Sequence, residues 1–317
     1  MKREALVVGI NRYLYFKLNQ DAPPADLAAP ETDALKVAQL LKEYGGFQVK
    51  LLPIKLQPHK NPVERKQAES VSVKKQDYVY EEELRSRIEQ LFNPPDNQFP
   101  DVALFYFAGH GWYNEQTKEY FLATTDTALP KQKYGLPLVW LREQLEKSRV
   151  KQQVVWLDCC FSGGLFDNFE IGKSDRVDRC LITASRSFEL AAEEEHGLLT
   201  EKLLKWLNPE DKLNPWVKNY DLEEWIKREK FPPEQSPLCR NGGNKSIILT
   251  SKQPLTPTDR RLEGKCPYLS LDFFKVEDAV FFYGRTQLTL DLVKRVEQDN
   301  PVLSLLEINN RSKMLKL

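Results

Sequence analysis

Several common signals are missing from this 317-residue sequence. Lys plus Arg equals Asp plus Glu, at 46 each, so no net field draws in nucleic acid or an acidic membrane surface. No stretch approaches the roughly 18 consecutive apolar residues of a membrane span. Met1-Lys2-Arg3-Glu4 enters at once a strand-like run, Ala5–Ile10, too short and too soon interrupted for a secretory signal. The five cysteines contain no C-x-x-C pair, which argues against a structural zinc site. An odd number with two adjacent is no disulfide framework either. With 41% hydrophobic and 29% charged residues, the composition is that of a soluble globular protein, expected in the cytoplasm, with neither a nucleic-acid nor a membrane partner.

What is present centres on Val154–Gly164, V-V-W-L-D-C-C-F-S-G-G. It reads as a buried strand that ends in an acid and two cysteines and then breaks into a Ser-Gly-Gly turn. In an open α/β sheet, ligands and reacting groups sit just beyond the carboxyl ends of parallel strands. Cys159 and Cys160 are therefore both candidate nucleophiles, although most free cysteines are small buried hydrophobes. A second apolar run, Asp101–Phe107, stops at Ala108-Gly109-His110-Gly111, placing an imidazole between two glycines that permit close approach. The chain has only three histidines, and His110 stands fifty positions before Cys160. A histidine about 50 residues upstream of a nucleophilic cysteine is a caspase-type spacing, though the Q-A-C-x-G caspase signature is absent.

Val102–Gly111 resembles the histidine motif of caspase-like peptidases. Asp158-Cys159-Cys160-Phe161-Ser162-Gly163 resembles the D-x-C-x-S-G motif of metacaspases and their bacterial relatives. The resemblance implies Cys160, third in that motif, as the nucleophile. Phe161 departs from the histidine usual in eukaryotic metacaspases. A thiol needs a neighbour to take its proton, and His110 suits that task as general base and acid, giving an acyl-enzyme hydrolase. Gly111 and the N–H of Cys160 are the expected oxyanion donors. No third residue is identifiable. Asp33, Asp126 and Asp158 flank predicted strand ends, and acids at the positions they resemble line the S1 pocket of metacaspases and select Arg or Lys. A serine that contributes there is Ala108 here, while Asp33 read alone is a helix cap and Asp126 a turn residue. The rival specificity, cleavage after Asp, would use arginines such as Arg12 and Arg186.

Around these motifs, apolar spacing predicts strands at Ala5–Ile10, Phe47–Leu52, Val102–Phe107, Tyr120–Ala123, Val154–Leu157 and Cys180–Ala184, with Ile247–Leu249 as a last one. Helices are predicted over Thr32–Tyr44, Tyr80–Phe92, Leu138–Lys147, from His196 onward, and over Asp221–Lys227. Alternation of strand and helix implies an α/β fold, and the resemblance makes it a three-layer α/β/α sandwich with a mostly parallel sheet of about six strands. The peptidase domain is placed at residues 1–250 and a linker at 251–264. Residues 265–317 resemble the entry segment of a STAND-type NTPase, but after Arg285 there is no glycine and hence no phosphate-cradling loop. Pro53–Asp77, rich in Lys, Gln, Glu and Pro, reads as a solvated insertion. The chain is expected to be active while intact, with any self-cleavage limited to that insertion or to the basic residues Lys173, Arg176 and Arg179.

The expected function is cysteine-type endopeptidase acting on protein or peptide substrates, without a cofactor. Calcium activates some members of the family, but no loop here spells a calcium site. The alternative is a caspase-fold scaffold or sensor in which the C-terminal segment binds a protein partner. Thiol redox chemistry at Cys159 and Cys160 is disfavoured, because adjacent cysteines make a strained ring.

Overall fold

Four apolar runs form the centre of the sheet: β1 (Arg3–Gly9), β3 (Val102–Ala108), β7 (Gln152–Asp158) and β8 (Asp178–Thr183). Nearly every residue in them is buried, the pattern of parallel strands covered on both faces. The structure, a computed structural model, describes residues 1–17, 24–53, 78–167, 169, 177–185, 197–210, 212–232 and 235–252. The chain divides into two units, Met1–Pro257 and Thr258–Leu317. All described residues belong to the first, so the tail, nearly all of the predicted linker, and the insertion after Pro53 lie outside them.

With β2 (Gln48–Leu52) and β10 (Leu238–Gly242), these strands make a six-stranded sheet in the order β10-β8-β7-β3-β1-β2. All neighbours are parallel except β10, which runs antiparallel to β8. Alternate strand residues feed two cores. Leu6, Val8, Phe105 and Phe107 join α2 (Glu81–Phe92) and α3 (Leu138–Lys147) through Leu84, Ile88, Leu141 and Leu145. Ala5, Val7, Leu104 and Tyr106 join α1 (Pro30–Glu43), α4 (Leu198–Leu207) and α5 (Asn219–Arg228) through Val37, Leu41, Leu203 and Leu222. The result is the α/β/α sandwich expected.

The membership of the sheet differs from the expectation in three places. The predicted strand at 120–123 belongs to a separate antiparallel sheet of β4 (Gly111–Asn114), β5 (Glu119–Leu122) and β6 (Leu136–Pro137). The one at 247–249 becomes β11 (Ile248–Ser251), paired with β9 (Trp216–Lys218) in a two-stranded sheet of its own. The sixth place goes to β10, whose L-C-R-N-G sequence has almost no apolar signal because an edge strand is half exposed. Helix α1 also begins earlier than predicted. Pro30 occupies its first turn, where a missing N–H costs nothing, and the Asn11 side chain accepts from the Glu31 N–H at 2.9 Å. Asp33 therefore sits inside the first turn and does not cap it.

The carboxyl end of β1 and the start of α1 touch at Gly9, where a Cβ would run into the Pro30 carbonyl and come within 2.8 Å of the Ala34 Cβ. Gly9→Ala is expected to destabilise the protein by about 1–3 kcal/mol, read as a lowered midpoint in denaturant. An unchanged midpoint would show that α1 is not held against β1 at this point.

Candidate active site

Strands β3 and β7 run parallel in a register that sets Ala108 opposite Asp158. Two residues further along each strand stand His110 and Cys160, and both line one cavity together with Asp33, Ala108, Asp158 and Gly197. The strand ends are tied together by Ile10 N–H to the Ala108 carbonyl (3.0 Å) and Gly109 N–H to the Asp158 carbonyl (3.4 Å).

The imidazole of His110 is fixed from several directions. Its Nε2 lies 2.7 Å from the Ala25 carbonyl. A carbonyl only accepts, so Nε2 carries the proton and, in the neutral ring, Nδ1 carries the lone pair. The rings of Tyr13 and Phe16 flank it at centroid distances of 4.8 and 5.2 Å. Its backbone N–H donates to the Tyr13 hydroxyl (2.8 Å), and its carbonyl accepts from Ala123 N–H (2.9 Å). The loop that supplies Ala25 is itself held by Ala25 N–H to Phe16 O, Leu27 N–H to Asn11 O, and Tyr13 N–H to the Asp26 carboxylate. Sequence reasoning missed Ala25, because a backbone carbonyl leaves no trace in residue type.

The two cysteines have different environments. Cys159 is buried in the core, and burial, followed by the electrostatic influence of the neighbouring Cys160 and Asp158, pushes its thiol well above the ordinary range. Both cysteines border the cavity, but Cys160 is only half-buried. The chain then turns sharply at Phe161, which adopts the left-handed region (φ 54°) before a short 3-10 turn over Ser162–Phe166, a conformation that costs a non-glycine residue roughly 1–2 kcal/mol. Gly111 packs directly on this turn; a Cβ there would strike the Cys160 carbonyl and lie 3.1 Å from the Cys159 sulfur. Because Ala123 N–H bonds to the His110 carbonyl, the next pair, Gly111 with Leu122, is of the non-hydrogen-bonded kind. The Gly111 N–H thus stays outside the β4–β5 ladder.

Two of the three candidate acids come together. Asp33 is 1% exposed and Asp158 7%, and both line the cavity. Asp33 accepts from Gly197 N–H at 2.8 Å. Asp158 accepts from Thr200 N–H (2.9 Å) and the Thr200 hydroxyl (2.5 Å). Burial, with the charges of Asp158 and Asp33 beside it, pushes the Tyr106 phenol well above its ordinary range. Asp126 stands apart, outside the cavity lining. Its carboxylate accepts from Glu81 N–H (3.1 Å) and the Thr124 hydroxyl (2.9 Å), so it caps α2. Ala108, in place of the serine of the related motif, does line the cavity. Arg12 is exposed and does not; Arg186 lies outside the described residues. Arg179, named above as a self-cleavage site, is buried in β8 with its Nε bonded to Gln153, which shields that peptide bond from a protease; Lys173 and Arg176 lie outside the described residues. Among the described residues no cluster of three or more His, Cys, Asp or Glu side chains is arranged to hold a metal ion.

The profile of the Caspase domain family matches residues 2–238. Among solved structures, the chain is similar to a protein of Geobacter sulfurreducens at 16% identity, covering 80% of this chain and 98% of that one with a TM-score of 0.52. It is also similar to caspase-1 of Spodoptera frugiperda at 14% identity, covering 80% and 92%, with a TM-score of 0.49. No curated protein matches.

The contrast between the adjacent thiols is testable. With limiting iodoacetamide near neutral pH, peptide mapping is expected to find the alkyl group on Cys160 and not on Cys159, because thiolate and access decide reactivity. Equal labelling of Cys159 would contradict the burial described.

Proposed function

Because the chain belongs to the Caspase domain family, we propose that it is a cysteine endopeptidase that cleaves protein or peptide chains after Arg or Lys. The observation that carries this reading is the meeting of His110, Cys160 and the two buried carboxylates of Asp33 and Asp158 in one cavity. In the proposed reaction the Cys160 sulfur attacks the scissile carbonyl carbon while its proton passes to Nδ1 of His110. The Nε2–H bond to the Ala25 carbonyl holds the ring in place and stabilises the imidazolium. The developing oxyanion is met by the N–H groups of Gly111 and Cys160. As the C–N bond breaks, Nδ1–H protonates the departing amine and leaves a thioester on Cys160. Water, losing a proton to His110, then releases the acid and the free thiol. Asp33 and Asp158 face the P1 cation, a charge complement that an Asp side chain would not find.

Such an enzyme suits a reducing compartment such as the cytoplasm: the four described cysteines are free thiols. Among the described residues no helix is long and apolar enough to cross a membrane.

Fluorogenic peptides differing only at P1 test the reading. The Arg peptide is expected to be turned over, with a loss of at least about 10³-fold in Cys160→Ala and in His110→Ala, and Asp33→Asn should lower Arg turnover by roughly 10–100-fold. Stronger turnover of an Asp peptide would sink the acidic pocket. Folded protein that cleaves neither peptide would favour the scaffold reading.

A further inference from the structure

The amino end of α4 lacks a cap of its own. Gly197 stands at the N-cap position and offers no side chain, so the first N–H groups of the helix need acceptors from elsewhere. They find them in the cavity acids. Asp158 accepts the N–H of Thr200, three positions on, which is the task of an N-cap side chain. Asp33 accepts the N–H of Gly197 itself, which is the task of the acid at the third position of a capping box. The two carboxylates, one from β7 and one from α1, thus supply both halves of a capping box in trans.

Thr200 adds a further constraint. It is fully buried. Its hydroxyl proton goes to Asp158, so the 2.6 Å contact with the Tyr106 hydroxyl has Tyr106 as donor. The chain of donation is directional, from Tyr106 to Thr200 to Asp158, and ends on the same carboxylate oxygen that the helix N–H reaches. Two donors on one oxygen fix the rotamer of Asp158 and favour its ionised form in a site that is 7% exposed. The dipole of the helix adds to this in the same direction.

We propose that Thr200 and Gly197 are positioning residues for P1 selectivity: the amino end of α4 holds the two acids in the spacing and charge state that receive a cationic side chain. This rests on the reading of the acids as the P1 pocket. A residue acting only on the fold would lower stability, catalysis and thiol reactivity together. A residue that positions the acids changes P1 binding alone.

The test uses the full chain with Arg and Lys peptides. Thr200→Val is expected to raise KM for the Arg peptide about 10-fold with kcat within about twofold, and Thr200→Ser should restore KM to within about threefold of wild type. Alkylation of Cys160 by iodoacetamide should not change in either. Gly197→Ala is the second variant, should Thr200→Val fail to fold. Its backbone conformation (φ −58°) suits any residue, but the new methyl would strike the Asp158 carboxylate, so the Arg peptide should lose affinity while alkylation persists. Unchanged KM in folded Thr200→Val, or Thr200→Ser behaving like Thr200→Val, would overturn the proposal. If wild type cleaves no peptide, binding of argininamide to Cys160→Ala by calorimetry reads the same geometry. Binding that weakens about 10-fold with Thr200→Val would keep the inference while the peptidase reading fell, binding insensitive to Thr200 would overturn the inference alone, and no binding would remove both.

Discussion

The parallel register of β3 and β7 is the constraint on which the site depends. Val102 pairs with Gln152 and each following residue keeps the same offset up to Ala108 with Asp158. That offset of fifty is also the separation of His110 from Cys160, so the spacing seen in the chain is the register continued two residues past the sheet. Side chains alternate along a strand, and a slip of one residue would send each to the other face. The burial of Phe105 and Phe107 under one layer of helices and of Leu104 and Tyr106 under the other therefore secures the placement of His110 and Cys160 as well as the core.

Around that fixed pair, the rest of the site is built largely from backbone groups. The Ala25 carbonyl orients His110, Gly111 lies against the Cys160 carbonyl, and the amide groups of Gly197 and Thr200 hold the acids. Backbone groups suit this purpose because they have no rotamers to order. Buried carboxylates otherwise tend to take up a proton; here helix amides and the Thr200 hydroxyl compensate their charge.

The elements legible in the sequence were those with continuous apolar runs. β1, β3, β7 and β8 read as buried strands because they are covered on both faces, and α3 was located to the residue by its own spacing. β10 escaped because an edge strand needs little apolar character. The run at 120–123 is extended as its sequence implies but lies in the small antiparallel sheet, since a short apolar segment does not state its partner. Likewise His110 and Cys160 stood out by residue type at strand ends, whereas Ala25 acts through a carbonyl and Thr200 reads only as part of a helix start. Asp126 looked like Asp33 and Asp158 because all three flank strand ends. Only the fold shows that its carboxylate is spent on the N–H of Glu81.

The most direct measurement is covalent trapping with two matched peptidyl chloromethyl ketones, one with Arg and one with Asp at P1, followed by intact-mass analysis and peptide mapping. The account predicts a single adduct from the Arg reagent, on Cys160, formed far more slowly in His110→Ala and only weakly from the Asp reagent. An adduct on another cysteine, or faster labelling by the Asp reagent, would contradict it.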